Sequence, residues 1–530
     1  MVKYDLEKVS RLQLTEERKE LIVKQALREE REIIVEQALL LIDEVYVNLP
    51  LKRARNAIDP VQRLKLLKYR LADMDELSFQ KEMLSTFMEL RDLHTMYTPP
   101  APYSGMWFEL PFLIEEFYEG NERQYMVSHL NGEFENSSFK RGVIITHWNG
   151  IPMERAVELN AERTYGSNRH ASRARGLESM TNRSSSRLLI PDEEWVDLRY
   201  ITDRQEEQEI RLNWEVWGLP PEDKPEEKAR KQSDVAFVNC LGIDWETESI
   251  RQIKKARYAP AKGENREEHF ENDFVWKIIK TSHGEFGHIR IHTFMIYNVE
   301  QFIDDLIGVL EYLPQKGLII DVRGNGGGYI MAGEMMLQLF TSRKIEPERF
   351  QFLNTPTTLK LASWPWQDSI RRSIETGAVY SQGFPIMTGY FDDYSYQLNQ
   401  YGQKYKEPVL LITDALCYST TDMFAAGFQD HEIGPILGTS GNTGAGGANV
   451  WEYDSFYNDL DLKPLPQGGS FRLAVRRSTR VGQRIGFPLE DFGVVPDYIH
   501  NMTKNDLLKD NVDLFEHAAS ILAAMTEEYV

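Results

Sequence analysis

Cysteine is scarce in this 530-residue sequence, which holds only Cys240 and Cys417. Two thiols build neither a disulfide framework nor a cysteine metal cluster, so nothing indicates an oxidising compartment. Long apolar runs are also lacking. No stretch approaches the roughly 18 to 20 apolar residues of a membrane span, and the first residues contain no apolar segment of signal-peptide length. We therefore expect a cytoplasmic protein that does not engage a membrane.

Positive charge is in deficit, with 61 Lys and Arg against 82 Asp and Glu and a net charge of −21. Phosphate neutralisation needs a surplus of basic residues, so a general nucleic-acid-binding function is excluded. The length exceeds that of one hydrophobic core and predicts two to four domains. The chain carries no motif for a cofactor and no cluster of metal ligands, and we expect neither a cofactor nor a metal.

Changes in composition divide the chain into four regions. Residues 1–100 have apolar residues at helical spacing and predict an N-terminal helical region, which ends at the prolines of LHTMYTPPAP. Residues 101–217 alternate short strands with turns and predict a small β-rich module. Residues 218–233 are a charged linker broken by prolines. Residues 234–530 form the fourth and most regular region.

The fourth region predicts an α/β core. GLIIDV (317–322) and PVLLIT (408–413) are apolar on both faces, and each is followed by a helical pattern. Strands without alternation that are separated by helices indicate a parallel sheet covered on both sides.

A glycine-rich loop, RGNGGG (323–328), directly follows the first of these strands. The dinucleotide-binding pattern fails because Tyr329 stands where a glycine is needed, and the phosphate-loop pattern fails because no GK[ST] follows. Two interpretations stay open. The loop is either a tight strand-to-helix turn or a set of backbone amides that stabilises an oxyanion.

Ser419 follows the segment PVLLITDALCY and precedes a helical run. It is either a helix cap or a nucleophile at the carboxyl edge of the sheet. A nucleophilic serine needs a base. No lysine occurs between residues 408 and 462, and Ala445 occupies the NTGAGG turn (442–447) where some peptidases place one, so a Ser-Lys dyad of that kind is excluded.

The base must then be a histidine. His94 is the best candidate by position, because it follows a helix within an irregular loop. Glu490 and Asp491, in GFPLEDFGVVPD (486–497), supply carboxylates that could orient an imidazole and stabilise its cation.

The order and spacing of these motifs resemble the tail-specific, or C-terminal processing, protease family. The motifs are GLIIDVRGNGGGYIMAGEMM, PVLLITDALCYSTTDMFAAGFQDHEIGPILGT, TGAGG and LEDFGVVPD. Because the lysine is replaced by Ala445, the sequence looks closer to the branch that contains tricorn core protease and the chlamydial protease-like activity factor. The middle region, with RGVIITHWNGIPMERAV, is similar to the PDZ-like module of the family.

This resemblance implies a ClpP/crotonase-like α/β core, a PDZ-like module at 101–217 and a catalytic core at 234–530. It implies a serine endopeptidase with a Ser419, His94 and Glu490 triad, and an oxyanion hole formed by the amides of Thr420 and Gly327. Tricorn-type members have a serine before the histidine, where this chain has Leu93. The implied substrate is a peptide or an unfolded protein, and the family allows a homo-oligomer.

Two other functions remain open at this stage. A catalytically inactive protein on the same fold could bind peptides or ligands, with Ser419 serving only as a cap. A hydrolase of small esters or amides is the other alternative, although the PDZ-like module favours peptides.

An arginine-rich segment, RLAVRRSTRVGQR (472–484), stands out in the acidic chain. It is either a solvated strand that offsets nearby carboxylates or a clamp for a substrate carboxylate, with Arg476 and Arg477 as the candidate ligands.

Overall fold

A computed structural model describes residues 11–13, 28–218, 273–296, 298–389, 393–457, 459–466 and 468–528. The predicted linker lies outside these residues apart from Gly218, as do Cys240 and the first part of the predicted catalytic core. In the described part of the chain, no helix has both the length and the apolar character needed to cross a bilayer.

The secondary structure is numbered in chain order. The helices are α1 (Arg28–Glu44), α2 (Leu49–Asn56), α3 (Pro60–Arg70), α4 (Glu76–Met88), α5 (Met153–Ala161), α6 (Arg169–Ser179), α7 (Val299–Tyr312), α8 (Ile330–Leu337), α9 (Pro356–Leu361), α10 (Trp366–Thr376), α11 (Tyr394–Leu398), α12 (Thr420–Asp430), α13 (Tyr453–Tyr457), α14 (Lys504–Leu508) and α15 (Val512–Glu528). The strands are β1 (Arg11–Gln13), β2 (Met96–Thr98), β3 (Met106–Glu109), β4 (Phe112–Glu119), β5 (Glu122–Leu130), β6 (Ile144–Trp148), β7 (Ile151–Pro152), β8 (Asn182–Ser184), β9 (Trp195–Ile201), β10 (Glu207–Asn213), β11 (Glu215–Gly218), β12 (Phe274–Thr281), β13 (Gly284–Ile291), β14 (Leu318–Asp321), β15 (Arg349–Phe352), β16 (Phe384–Pro385), β17 (Val409–Thr413), β18 (Ile436–Gly438), β19 (Ala448–Glu452), β20 (Ser470–Thr479) and β21 (Tyr498–Ile499).

Helices α1 to α4 confirm the predicted helical N-terminal region. Helix α3 begins at Pro60, and the Asp59 carboxylate accepts the N–H of Gln62 at 3.2 Å. Helix α4 also has an aspartate cap, because the Asp75 carboxylate accepts the N–H of Ser78 at 2.9 Å. Such caps satisfy donors that the first helical turn leaves without partners.

The N-terminal helices share one hydrophobic core with the α/β region. A single cluster of buried residues runs from Ile34 and Phe87 in the helices to Ile320, Leu411 and Phe424 around the sheet. The helices are therefore packed against the α/β core, and they can present side chains to it.

The middle module, residues 106–218, has a core of its own that includes Phe112, Trp148 and Trp214. One of its sheets has the strand order β1-β11-β3-β8, and the other has the order β10-β9-β6-β5-β4 with β7 added to β6. All of these pairings are antiparallel. Helices α5 and α6 complete the module.

The predicted α/β class is confirmed by a six-stranded sheet of order β12-β13-β14-β17-β18-β21. The pairings from β13 to β21 are parallel, and β12 joins β13 antiparallel. Every residue of β14 and β17 is buried. Helices α8 and α12 pack together so closely that a Cβ on Gly333 would lie 2.9 Å from Thr420 Cγ2.

A second sheet joins this core to the N-terminal helices. Its order is β16-β15-β20-β19, and β2 also pairs with β20. In that pairing Met96 lies opposite Arg472 and Tyr97 opposite Phe471. Because β2 begins two residues after His94, the pairing fixes this histidine against the α/β core.

Candidate active site

Ser419 lies in a strained turn between β17 and α12. Its backbone has φ 60° and ψ −124°, outside the regions that a residue with a Cβ prefers. The side chain makes no capping hydrogen bond, and the residue is 4% exposed. A strained strand-to-helix turn that presents a serine hydroxyl is characteristic of nucleophiles.

The glycine loop packs directly on this serine. A Cβ on Gly327, whose φ is +101°, would lie 2.6 Å from Ser419 Cβ and 2.9 Å from Thr420 N. The Thr420 hydroxyl donates to Gly328 O at 2.7 Å, which ties the loop to the start of α12. Close approach of two backbones is the physical reason for glycine at position 327.

The two predicted oxyanion donors differ in their surroundings. Thr420 is the first residue of α12, so its N–H is one of those for which a helix supplies no acceptor. The Gly327 N–H donates to Asn325 Oδ1 at 2.9 Å. For the Gly327 N–H to donate to an oxyanion, it must therefore give up its hydrogen bond to Asn325 Oδ1.

His94 lies beside the residue that precedes the serine. Its ring is 4.5 Å from the ring of Tyr418, centroid to centroid, and it is 2% exposed. The backbone N–H of His94 donates to Asp92 Oδ1 at 2.8 Å, and the backbone N–H of Leu93 donates to the Tyr418 hydroxyl at 3.1 Å. The histidine segment is thus anchored to the serine turn.

Glu490 reaches the same place from the C-terminal part of the chain. A ring nitrogen of His94 and one carboxylate oxygen each of Asp92 and Glu490 lie within 4.8 Å of one another. All three residues are buried. Burial, and then the nearby Asp92 carboxylate, raises the pKa of Glu490 well above its usual range.

Lys52 of α2 meets Glu490 inside this cluster. Its Nζ lies 2.6 Å from Glu490 Oε1 and also contacts Asp491 Oδ1. Imidazole and carboxylates are donors that divalent cations use as well. Here a protein ammonium group supplies the positive charge, and the expectation of no metal and no cofactor stays a prediction.

The middle module closes one side of the site. The Ser167 hydroxyl donates to Glu490 Oε1 at 3.0 Å, and Asn168 Nδ2 donates to Thr443 O at 2.9 Å. Gly441 faces the His170 ring, since a Cβ there would lie 2.7 Å from His170 Cε1. A serine of the middle module therefore binds the glutamate.

The turn at residues 442–447 is held by an aspartate of α12. Asp422 accepts the N–H of Gly446 at 2.9 Å and that of Ala445 at 3.3 Å. Burial raises the pKa of Asp422 to about 7. Ala445, at the position where some peptidases have a lysine base, is buried in this turn with φ 62°.

The two candidate substrate-binding arginines of β20 differ in accessibility. Arg476 is 4% exposed, and its guanidinium donates to Asn449 Oδ1 and lies over the rings of Phe352 and Trp366. Arg477 is half-buried and donates to Gln351 Oε1. Arg476 contributes to packing, and Arg477 is the more accessible of the two. The carboxylate clamp of Arg476 and Arg477 stays a prediction, and Arg477 is the residue through which it can be tested.

Sequence reasoning did not identify Lys52, Asp92 or Ser167. Asp92 lies two residues before His94, so the local sequence contained a usable signal. Lys52 is one of three cationic residues in LPLKRARN, and only its burial distinguishes it from Arg53 and Arg55. Ser167 is one serine in a loop, and no local pattern indicates its contact with a residue 323 positions away.

Known proteins resemble this chain both in sequence and in fold. Residues 285–499 match the sequence model of Peptidase family S41. No curated protein matches the chain. The solved structure of mature CPAF complexed with lactacystin has a TM-score of 0.66 at 15% identity, and the match covers 94% of this chain and 98% of that chain. Mature CPAF has a TM-score of 0.67 at 15% identity, with coverage of 93% and 98%.

The match to CPAF covers nearly the whole chain. Because the sequence identity is low, this likeness establishes a shared fold and nothing more. The family match is narrower. It contains Gly327, Ser419 and Glu490, whereas His94 lies outside it. The predicted resemblance to the tail-specific proteases is thereby confirmed, and residues 285–499 carry the signature of the serine-type peptidases of family S41.

Proposed function

We propose that this chain is a serine endopeptidase that works through Ser419, His94 and Glu490. The observation that carries the proposal is the strained turn at Ser419, whose hydroxyl makes no capping bond and whose neighbour Tyr418 packs against His94. A side chain that merely capped α12 would use its oxygen for the helix.

The three groups take the roles that acyl transfer requires. His94 removes the proton from the Ser419 hydroxyl as it attacks the substrate carbonyl, and it later protonates the leaving amine. Glu490, directly or through a water, holds the imidazole in the right tautomer and stabilises the imidazolium. The amides of Thr420 and Gly327 bind the oxyanion. Electrostatic stabilisation of this kind is usually the largest single contribution to the rate enhancement.

Peptides are the proposed substrates, because the middle module borders the site and resembles a peptide-binding module. Its Ser167 and Asn168 contact Glu490 and the 442–447 turn. The cytoplasmic location and a homo-oligomeric state remain predictions.

A fluorophosphonate probe tests for an activated serine. We expect mass spectrometry to locate the adduct on Ser419, because such probes react with activated serines. Exposed serines such as Ser137 serve as internal controls and should remain unmodified. A folded protein that takes up no probe at Ser419 would contradict the peptidase proposal and support an inactive binding protein.

Arg477 should affect the binding of acidic substrates. Replacing Arg477 by alanine removes a half-buried guanidinium, and we expect the KM for peptides with an acidic side chain to rise about tenfold, with neutral peptides unaffected. Arg371→Ala is the matched control, since that arginine is 56% exposed and pairs with Asp368 on α10. An equal KM for acidic peptides in the Arg477 variant and the unmodified protein would refute the clamp.

A further inference from the structure

Lys52 is a lysine without solvent contact, at 0% exposure. Its ammonium donates to Glu490 Oε1 at 2.6 Å, to Asp491 Oδ1, and to the backbone oxygen of Arg91 at 3.3 Å. An ammonium group has three donors, and all three are used here. Burial of a lysine is costly unless its charge is matched, so this position needs a specific physical reason.

The charges around Lys52 supply that reason. Asp92, Glu490 and Asp491 are each at most 1% exposed. Among the described residues, Arg55 approaches from the rim, 3.8 Å from Asp491 Oδ2, and Arg175 lies over the Tyr418 ring. His94 and the phenols of Tyr46 and Tyr418 also face the cluster. Burial raises the pKa of both phenols. Lys52 is therefore the cation in direct contact with Glu490.

The contact also orients the glutamate. Lys52 and Ser167 both bind Oε1 of Glu490. Within the described chain, Oε2 has no hydrogen-bond partner. A carboxylate held by one oxygen presents the other to a neighbouring imidazole, whose cation it can stabilise.

We propose that Lys52 is a positioning residue of the triad, which supplies the positive charge that favours the ionised form of Glu490 and directs the carboxylate towards His94. This inference rests on the proposed function. Lys52 does not act as the base of a Ser-Lys dyad, because two carboxylates occupy its ammonium group. Those carboxylates outweigh the effect of burial and hold the pKa of Lys52 above its usual value, so the group stays charged.

The test is the pH dependence of fluorophosphonate labelling at Ser419 in Lys52→Met. Without the ammonium, Glu490 holds its proton more tightly, because Lys52 lowers the pKa of that carboxyl. We expect the acidic limb of the profile to move to higher pH by about one to three units, with recovery at alkaline pH. At a given pH on that limb, each pH unit of this shift lowers the labelling rate about tenfold. Lys68→Met removes an exposed lysine paired with Glu36, and it should leave the profile unchanged.

Two further variants separate the charge from packing. Lys52→Arg keeps the cation, so its acidic limb should lie near that of the unmodified protein even if the maximum rate falls. Asp491→Asn removes a carboxylate that raises the pKa of Glu490, so its limb should move to lower pH. This opposite shift keeps the inference testable if Lys52→Met does not fold.

The outcomes distinguish the two proposals. If Ser419 in the unmodified protein takes up no probe, the proposed function and this inference fail together. If the unmodified protein is labelled but Lys52→Met has the same acidic limb, the triad stands and Lys52 has only a structural role. An unshifted limb in Asp491→Asn would also overturn the inference.

Discussion

Alanine at Ser419 or at His94 is expected to abolish peptide turnover to the same extent, by roughly 10⁴- to 10⁶-fold in kcat. The hydroxyl is a poor nucleophile without the imidazole, and the imidazole has no purpose without the hydroxyl. The Ser419→Ala/His94→Ala double variant should therefore lose no more activity than either single variant. Steady-state kinetics on a peptide substrate measure all three.

Glu490→Gln should cost less, roughly 10⁴-fold, because it impairs the orientation of His94 and the stabilisation of its cation without removing a reacting group. The control for His94→Ala is His283→Ala, since His283 is exposed on the turn between β12 and β13. Near-full activity in His94→Ala would show that another group activates Ser419, and the triad would be wrong.

The strands of the α/β core could be predicted because they are encoded locally. Leu318–Asp321 and Val409–Thr413 are apolar on both faces, and the structure places them side by side in a parallel sheet. The glycine loop and Ser419 each lie between one of these strands and the next helix, so the topology alone brings them to one edge of the sheet.

Sequence position makes His94 and Glu490 candidates, but only the family resemblance assigns them to Ser419, because no local pattern brings the three residues together. The pairing of β2 with β20 and the shared hydrophobic core bring His94 to the α/β region. The composition separates residues 1–100 from the catalytic core, yet Phe87 and Phe424 belong to one buried cluster. A boundary in composition is therefore not a boundary in packing here.

Lys52 illustrates why the rest of the site could not be predicted. It contacts Glu490 across 438 positions of sequence. A lysine followed by two arginines on a short helix is typical of a solvated face, and only the tertiary structure reveals three buried carboxylates beside it. Charge compensation of this kind depends on burial, which local sequence does not encode.

Gly327→Ala is expected to lower kcat/KM by roughly 10²- to 10³-fold, the range for loss of one oxyanion donor. The new Cβ would lie 2.6 Å from Ser419 Cβ, 2.7 Å from Tyr418 O and 2.9 Å from Thr420 N. Contacts this short with backbone cannot be relieved by a side-chain rotation. The loop must move away from the serine turn, and the oxyanion site opens with it.

Gly324→Ala is the matched control in the same loop. Gly324 also has a positive φ, +67°, but an added Cβ there meets nothing within 4 Å. Both substitutions carry a backbone penalty of about 1 kcal/mol or more. Gly327→Ala adds the cost of its short contacts, so thermal unfolding should report the larger loss of stability for that variant. Only Gly327→Ala should lose catalysis, because only its Cβ separates the loop from Ser419. Equal activity of the two variants would assign the glycine loop to a turn and leave Thr420 as the proposed oxyanion donor.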